Sequence, residues 1–453
     1  MKPLCFVLMP FGTKKDPGGG PDIDFDAIYE LGIRPAIDDA GMEAVRADEE
    51  RTGGIIHKAM FERLLLCDYA VADLTAANAN VFYELGVRHA ARPATTLPIF
   101  AAQQKMPFDV NYLRAMPYAL GENNRFTPRE AGLLRTALAN KLRGLRENVA
   151  QGIPADSPLF QLLPDYPAPD VAHLKTDVFR DQVQYSAEKK RALEKARRTA
   201  DPQEVLQVEE SLGSLDAVEA GVLVDLYLSY RAVKAWDRMV SLYERLPAVL
   251  QRSVLVREQL GFALNRLGRR QEALDVLETV VEEQGPSSET CGLIGRVYKD
   301  LWIEARKAGD TFGAAGFLDR AIDNYSRGFE ADWRDAYPGI NAVTLLDIKG
   351  GTRAQERKAE LLPVVRFAVM QRLKAAKPDY WDYATLLELA VLDGDEETSR
   401  QRLGDAIACV REVWEPETTV NNLKMIREAR SARGVEQPWL DAVIESLATA
   451  KPR

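Results

Sequence analysis

Over the first 120 residues, short apolar runs alternate with segments whose apolar residues recur every three or four positions. LCFVLMP (4–10), EAVRADE (43–49), YAVADLT (69–75), LPIFAAQ (97–103) and AMPYAL (115–120) read as strands. Residues 24–41, 55–66, 80–91 and 127–149 carry helical spacing, the first closed by Gly41 and the third opened by Asn80 as N-cap. Strands separated by such helices predict βαβ units, hence an α/β Rossmann-like parallel sheet domain over 1–150 with helices on both faces. Sheets of this kind take ligands at the C-terminal ends of their strands, which singles out the loops after Pro10, Asp48, Asp73 and Ala102. The segment GTKKDPGGGPD (12–22) reads as a mobile flap, without the glycine spacing of a phosphate loop.

After residue 150 the pattern changes. Residues 150–175 hold five prolines and little periodicity, which marks 151–178 as a linker or docking segment. From 179 to 453 strands vanish and long helical patterns take over. Leu226, Leu260 and Ile294 recur every 34 residues, as do Tyr230, Leu264 and Tyr298, and Gly261 aligns with Gly295. That period of paired helices predicts an all-α tetratricopeptide-like solenoid, whose core forms only by stacking neighbours and whose concave surface is open to a ligand or partner. AIDNYSRGFEAD (321–332) fits the next repeat if about 14 residues are inserted, expected around 304–316. Further helices are predicted near 354–376, 380–393 and 396–413.

Composition narrows the function classes. A net charge of −9 over 453 residues argues against a broad nucleic-acid footprint. No apolar stretch approaches the length of a membrane span or a signal peptide, and Cys5, Cys67, Cys291 and Cys409 lack disulfide or metal spacing. The expectation is a cytoplasmic protein with no membrane partner, no metal and no resident cofactor.

The chemistry concentrates in VADLTAANANVFYELGVRHA (71–90). Asp73 ends a strand and Glu84 follows about one turn into a helix, so two carboxylates could border one crevice, the arrangement that glycosidic chemistry uses. A plainer reading also fits: Glu84 and Arg88 are spaced as a helical ion pair, and Asp73 and Asn80 as caps. Arg46, on the second strand, suits a phosphate, a carboxylate ligand or a salt-bridge partner.

MPFG (9–12), RADE (46–49), ADLT (72–75) and NANVFYELGVRHA (78–90) resemble the nucleoside 2-deoxyribosyltransferase-like superfamily, a Rossmannoid group related to TIR domains. The resemblance covers about residues 3–120. It implies Glu84 as nucleophile or stabiliser and Asp73 as its catalytic partner at the sugar. It also implies a pocket made by Pro10, Phe11, Gly12, Arg46, Asp48, Asn80, Asp109 and Arg114.

CGLIGRVYKDLW (291–302), the run 321–346 with its YPGIN, and PDYWDYATLLELAVLDGD (378–395) resemble the TRAF-binding, repeat-containing region of apoptosis signal-regulating kinases. This second resemblance covers about 180–430 and implies a domain that senses a nucleotide-type ligand or docks proteins. Arg296, Lys299, Asp300, Tyr337, Asn341 and Trp381 are its candidate contacts, since aromatic and amide groups can stack on and hydrogen-bond a base. An Arg296–Asp300 ion pair with gap-filling tyrosines accounts for the same residues without a ligand.

Together these readings lead to an N-glycosidase or transferase acting on NAD or another nucleotide, controlled by a repeat domain that binds a protein partner or self-associates, in bacterial stress or anti-phage signalling. The alternative is a catalytically inactive nucleotide sensor or protein-interaction scaffold.

Overall fold

The computed structural model describes residues 2–46, 57–104, 115–151, 156–163, 165–169, 177–375, 378–412 and 414–451. The chain divides into two compact units, Met1–Arg198 with Gln207–Leu226, and Thr199–Leu206 with Tyr227–Arg453.

The first unit is built on five strands, β1 (Leu4–Leu8), β2 (Glu43–Arg46), β3 (Tyr69–Asp73), β4 (Thr96–Ala101) and β5 (Met116–Tyr118). They form one parallel sheet in the order β2-β1-β3-β4-β5, with Val7 opposite both Arg46 and Val71. Period-two alternation sends Leu4, Phe6 and Leu8 to one face and Cys5 and Val7 to the other, and all five are buried. One face is covered by α1 (His57–Leu66) and α2 (Ala79–Ala91), through Leu64, Val81 and Leu85. The opposite face is covered by residues 25–39 and α3 (Pro128–Ala150), through Ile28, Ile33, Leu138 and Leu142. Apolar runs buried on both faces are what a parallel sheet demands.

Two local expectations change. Asn78, not Asn80, caps α2: its Oδ1 accepts from the Asn80 and Val81 amides. The segment expected as a flap is tied down. Thr13–Lys14 pairs with Ile23–Asp24, and the Asp16 carboxylate accepts from Gln104 and Asn124 side chains at 2.7 and 2.9 Å.

The second unit is a stack of helical hairpins, the solenoid predicted from the 34-residue period. Its helices, in chain order, begin with α4 (Ala220–Ala232, which bridges the unit boundary) and α5 (Trp236–Arg245). They continue with α6 (Val254–Arg266), α7 (Arg270–Gln284), α8 (Ser288–Lys307), α9 (Thr311–Ala331), α10 (Ala336–Lys349), α11 (Thr352–Ala375) and α12 (Tyr380–Asp393). α13 (Glu396–Ala408), α14 (Trp414–Ser431) and α15 (Pro438–Ala448) complete it. The first helices of the hairpins pack on one another as an inner layer, most deeply at α10, buried from Pro338 through Ile348, and at α12, buried from Leu386 through Leu392. α10 and α12 are apolar nearly all round, whereas α6 and α8 also bury polar groups such as Arg257, Gln259 and Lys299.

The aligned glycines have a packing reason. A Cβ at Gly261 would lie 2.6 Å from the Leu277 side chain, and one at Gly295 would lie 2.8 Å from the Tyr325 ring. The insertion expected at 304–316 is absorbed as helix: α8 and α9 run to 20 and 21 residues around a short turn, against 13 and 15 in α6 and α7.

Candidate functional site

At the sheet's C-terminal end, Asp73 has no exposed surface. One carboxylate oxygen accepts the Thr75 amide at 3.0 Å and the other the Tyr118 hydroxyl at 2.8 Å. Burial pushes its pKa up, against the downward pull of the Thr75 and Tyr118 hydrogen bonds. Both oxygens are thus engaged within the fold. Glu84 lies half-buried on α2 and Asn80 is exposed on its first turn. Arg88, fully buried, points its guanidinium at the Leu64, Cys67 and Asp68 carbonyls and the Thr95 and Thr96 hydroxyls.

Pro10, Phe11, Gly12 and Arg46 do come together. The Arg46 guanidinium donates to the Pro10 carbonyl at 3.1 Å and to Asp26 at 2.8 Å, and it lies 4.2 Å over the Phe11 ring. The Gly12 amide donates to the same Asp26 carboxylate, at a positive φ that suits glycine. Here Arg46 is a salt-bridge partner that closes the β1 and β2 ends. Asp48, Asp109 and Arg114 lie outside the described residues.

The repeat domain holds a different constellation. Lys299 on α8, only 4% exposed, donates to Asn341 Oδ1 on α10 and to Asn422 Oδ1 on α14, each at 3.1 Å. The Asn422 amide donates in turn to both Glu388 oxygens on α12, at 3.1 and 3.3 Å. Asn341 also donates to the Tyr337 carbonyl one turn back. One polar chain therefore crosses four inner helices. At its edge, Arg296 pairs with Asp300 at 3.1 Å, and Asn265 donates to Asp300 at 2.9 Å. Tyr337 packs edge-on against Tyr325 with half its surface exposed. Trp381 stands apart, grouped with Tyr380 and Trp414.

Burial drives the electrostatics of this chain of groups. It pushes the Lys299 ammonium down, helped by the nearby Arg296 charge, and pushes the Glu388 carboxyl up, opposed by Asn422 and Lys299. A second buried bridge joins α14 to α10, where Arg430 forks onto Asp347 at 2.9 and 3.0 Å, and Lys358 of α11 adds 2.7 Å. Glu388, Asn422, Asp347 and Arg430 escaped the sequence reading. For Glu388 and Asp347 a signal was present, since an acid inside the apolar runs LLELAV and VTLLDI must find a buried partner. The arrangement braces helices and presents a half-open edge at Arg296 and Tyr337.

A family model described as the MAP3K TRAFs-binding domain matches residues 81–442. Mitogen-activated protein kinase kinase kinase 15 of Mus musculus is 25% identical over 260 residues, 54% of this chain and 19% of that protein. Kinase kinase kinase 6 of Homo sapiens is 25% identical over 341 residues, covering 70% and 25%. Kinase kinase kinase 5 of Homo sapiens is 23% identical over 429 residues, covering 86% and 30%. The chain thus spans less than a third of the length of these relatives. Among solved structures, a TPR protein of Thermus thermophilus aligns with a TM-score of 0.34 at 15% identity, covering 44% of this chain and 97% of its own. A tetratricopeptide repeat protein of Parabacteroides merdae gives 0.32 at 12%, covering 57% and 99%.

These findings correct the expected N-glycosidase or transferase. The matching relatives are mitogen-activated protein kinase kinase kinases and the matching family model is a TRAFs-binding domain, and nothing in the comparisons supports a deoxyribosyltransferase or TIR identity for the first 120 residues. The closed Asp73 carboxylate gives the physical counterpart, because a group with no exposed surface and both oxygens bonded cannot flank a sugar. With a match over most of its length, the chain belongs to the MAP3K TRAFs-binding domain family.

Proposed function

We propose that this chain is a protein-interaction scaffold, without bond-making chemistry of its own, whose helical repeats bind a protein of the TRAF class. The observation that carries this reading is the family match over 81–442, laid on a stack of helical hairpins. Repeat stacks offer extended surfaces whose rigidity limits the entropy lost on binding, and the buried polar bridges across α8, α10, α12 and α14 add to that rigidity. We read the N-terminal parallel sheet, over about 1–150, as a Rossmann-like partner domain in this scaffold.

Isothermal titration of the full chain with a purified TRAF domain tests the reading. Saturable binding at micromolar concentrations is expected. No heat at the highest attainable concentration, with both proteins folded, would remove the TRAF class as partner. Light scattering of the chain alone separates this from self-association.

A further inference from the structure

The last turn of α4, together with α6 and α8, carries a concentration of cations that the bracing role leaves unused. Arg231 on α4 and Arg266 on α6 both place their guanidinium groups over the Phe262 ring, at 4.8 and 5.0 Å. Trp236 meets the same ring edge-on at 5.5 Å. Arg231 is oriented by the Gln259 side chain. Arg296, 34 residues after Phe262, takes the equivalent position on α8. Among the described residues no carboxylate forms an ion pair with Arg231 or Arg266, and Asp300 alone pairs with Arg296. Glu289 is the other acid whose charge feels this group, through Arg231.

The cations are therefore in excess, in a chain whose overall charge is −9. They also oppose one another: burial and then the Arg296 charge push the Arg266 guanidinium below its ordinary value. An anion placed here relieves that repulsion. With neighbouring helices about 8–10 Å apart, three of them span roughly 16–20 Å, more than a small anion can bridge. An extended peptide of about six residues covers that distance at ~3.3 Å each.

We propose that Arg231, Arg266 and Arg296, set around Phe262, form a docking site for an extended acidic segment of the partner protein. Its carboxylates meet the guanidinium groups and an apolar side chain lies on Phe262 and Trp236, using the cation and aromatic faces together. The inference rests on the scaffold reading and adds the partner's chemistry. A nucleic acid is the other polyanion, and a chain of net charge −9 repels its long phosphate backbone.

The test uses the full chain and a fluorescein-labelled peptide of about eight residues, rich in glutamate with two phenylalanines, followed by anisotropy at low salt. Saturable binding is expected, weakened about tenfold or more in the Arg231→Glu/Arg266→Glu variant and by added salt. A milder Arg266→Gln variant, checked for unchanged circular dichroism and melting, should show a smaller loss in the same direction. Equal affinity for the charge-reversed variant, or for a peptide with glutamine in place of glutamate, overturns the proposal. So does tighter binding of a single-stranded oligonucleotide of the same length. If a TRAF domain still binds while no acidic peptide does, the docking chemistry falls and the scaffold stands. If the peptide binds and no TRAF domain does, the reverse holds.

Discussion

The two units each bury a cation, and they satisfy it in opposite ways. Arg88 in the first unit takes its partners from a local neighbourhood, the carbonyls at 64, 67 and 68 and the hydroxyls at 95 and 96. Lys299 in the second unit takes Asn341 and Asn422, 42 and 123 residues away. The first arrangement seals the loops that flank β3 and leaves the cation no donor to spare. The second ties four helices of a stack to one another and ends at a half-exposed edge. The lesson concerns function: the charged residues nearest the sheet motif hold the sheet, whereas those on the solenoid's inner helices adjoin surface a partner can reach.

The sharpest way to break that contrast is Arg88→Met. The substitution leaves three carbonyls and two hydroxyls without their donor in a site already fully buried, at a cost of about 3–5 kcal/mol to the first unit. Hydrogen exchange read separately over β1 and β3 and over α8 and α10 measures it. Loosening confined to the sheet supports local closure, and equal loosening of the inner helices shows the two units to be one cooperative body.

Gly295→Ala makes the matching attack on the solenoid. Its Cβ would meet three Tyr325 ring atoms at 2.8–2.9 Å, and Tyr325 is fully buried with nowhere to retreat. A loss of about 1–3 kcal/mol is expected by urea denaturation, with Gly261→Ala against Leu277 at the lower end because an aliphatic side chain yields more readily. A neutral Gly295→Ala would mean that α8 and α9 are not held as closely as the structure shows.

Acid should move the two units in opposite directions at the groups that burial perturbs. His89 is pushed from 6.5 to about 4, by burial first and the adjacent Arg88 second. Its charged form is disfavoured in the fold, so stability is lost as pH falls from 6.5 toward 4. Wild type should lose about 1–2 kcal/mol relative to His89→Gln at about pH 5. Glu388 is perturbed the other way, its folded pKa lying above the free value of 4.5. Its contribution is complete below 4.5 and is lost as pH rises through the folded pKa, so wild type should gain on Glu388→Gln upon acidification. Denaturant curves at about pH 7 and 5 on the two variants decide both signs.

Much of the architecture was readable because it depends on near neighbours. LCFVL and YAVAD are apolar runs that only a sheet covered on both faces can bury, and the 34-residue interval reports hairpins directly. Where two residues were chemically equal the sequence could not choose: Asn78 and Asn80 are both good caps, and only the local backbone gives Asn78 the two amides. The insertion expected around 304–316 carries glycines at 309, 313 and 316, yet Asp310 caps α9 through the Gly313 amide and the helix runs on through Gly316. The site was least readable because its members meet only in space. Asp73 looked open to ligand until Tyr118, 45 residues on, was seen to hold its second oxygen. Nothing along the chain announces that Asn422 stands between Lys299 and Glu388.

The smallest effect tests the comparison from its quietest side. Gly86 belongs to the ELG run that first suggested chemistry on α2, where a glycine would matter if another surface had to approach the helix backbone closely. In the structure Gly86 is exposed, and a Cβ there meets nothing within 4 Å among the described residues. Gly86→Ala then removes only the conformational freedom of the unfolded chain and the poor helix propensity of glycine, stabilising the first unit by about 0.5–1 kcal/mol. The same substitution at Gly295 carries the opposite sign, because its Cβ strikes a buried ring. A melting experiment in which Gly86→Ala also destabilises would show that something packs on that face of α2, and the sheet unit would then share the solenoid's habit of reserving glycine for close contact.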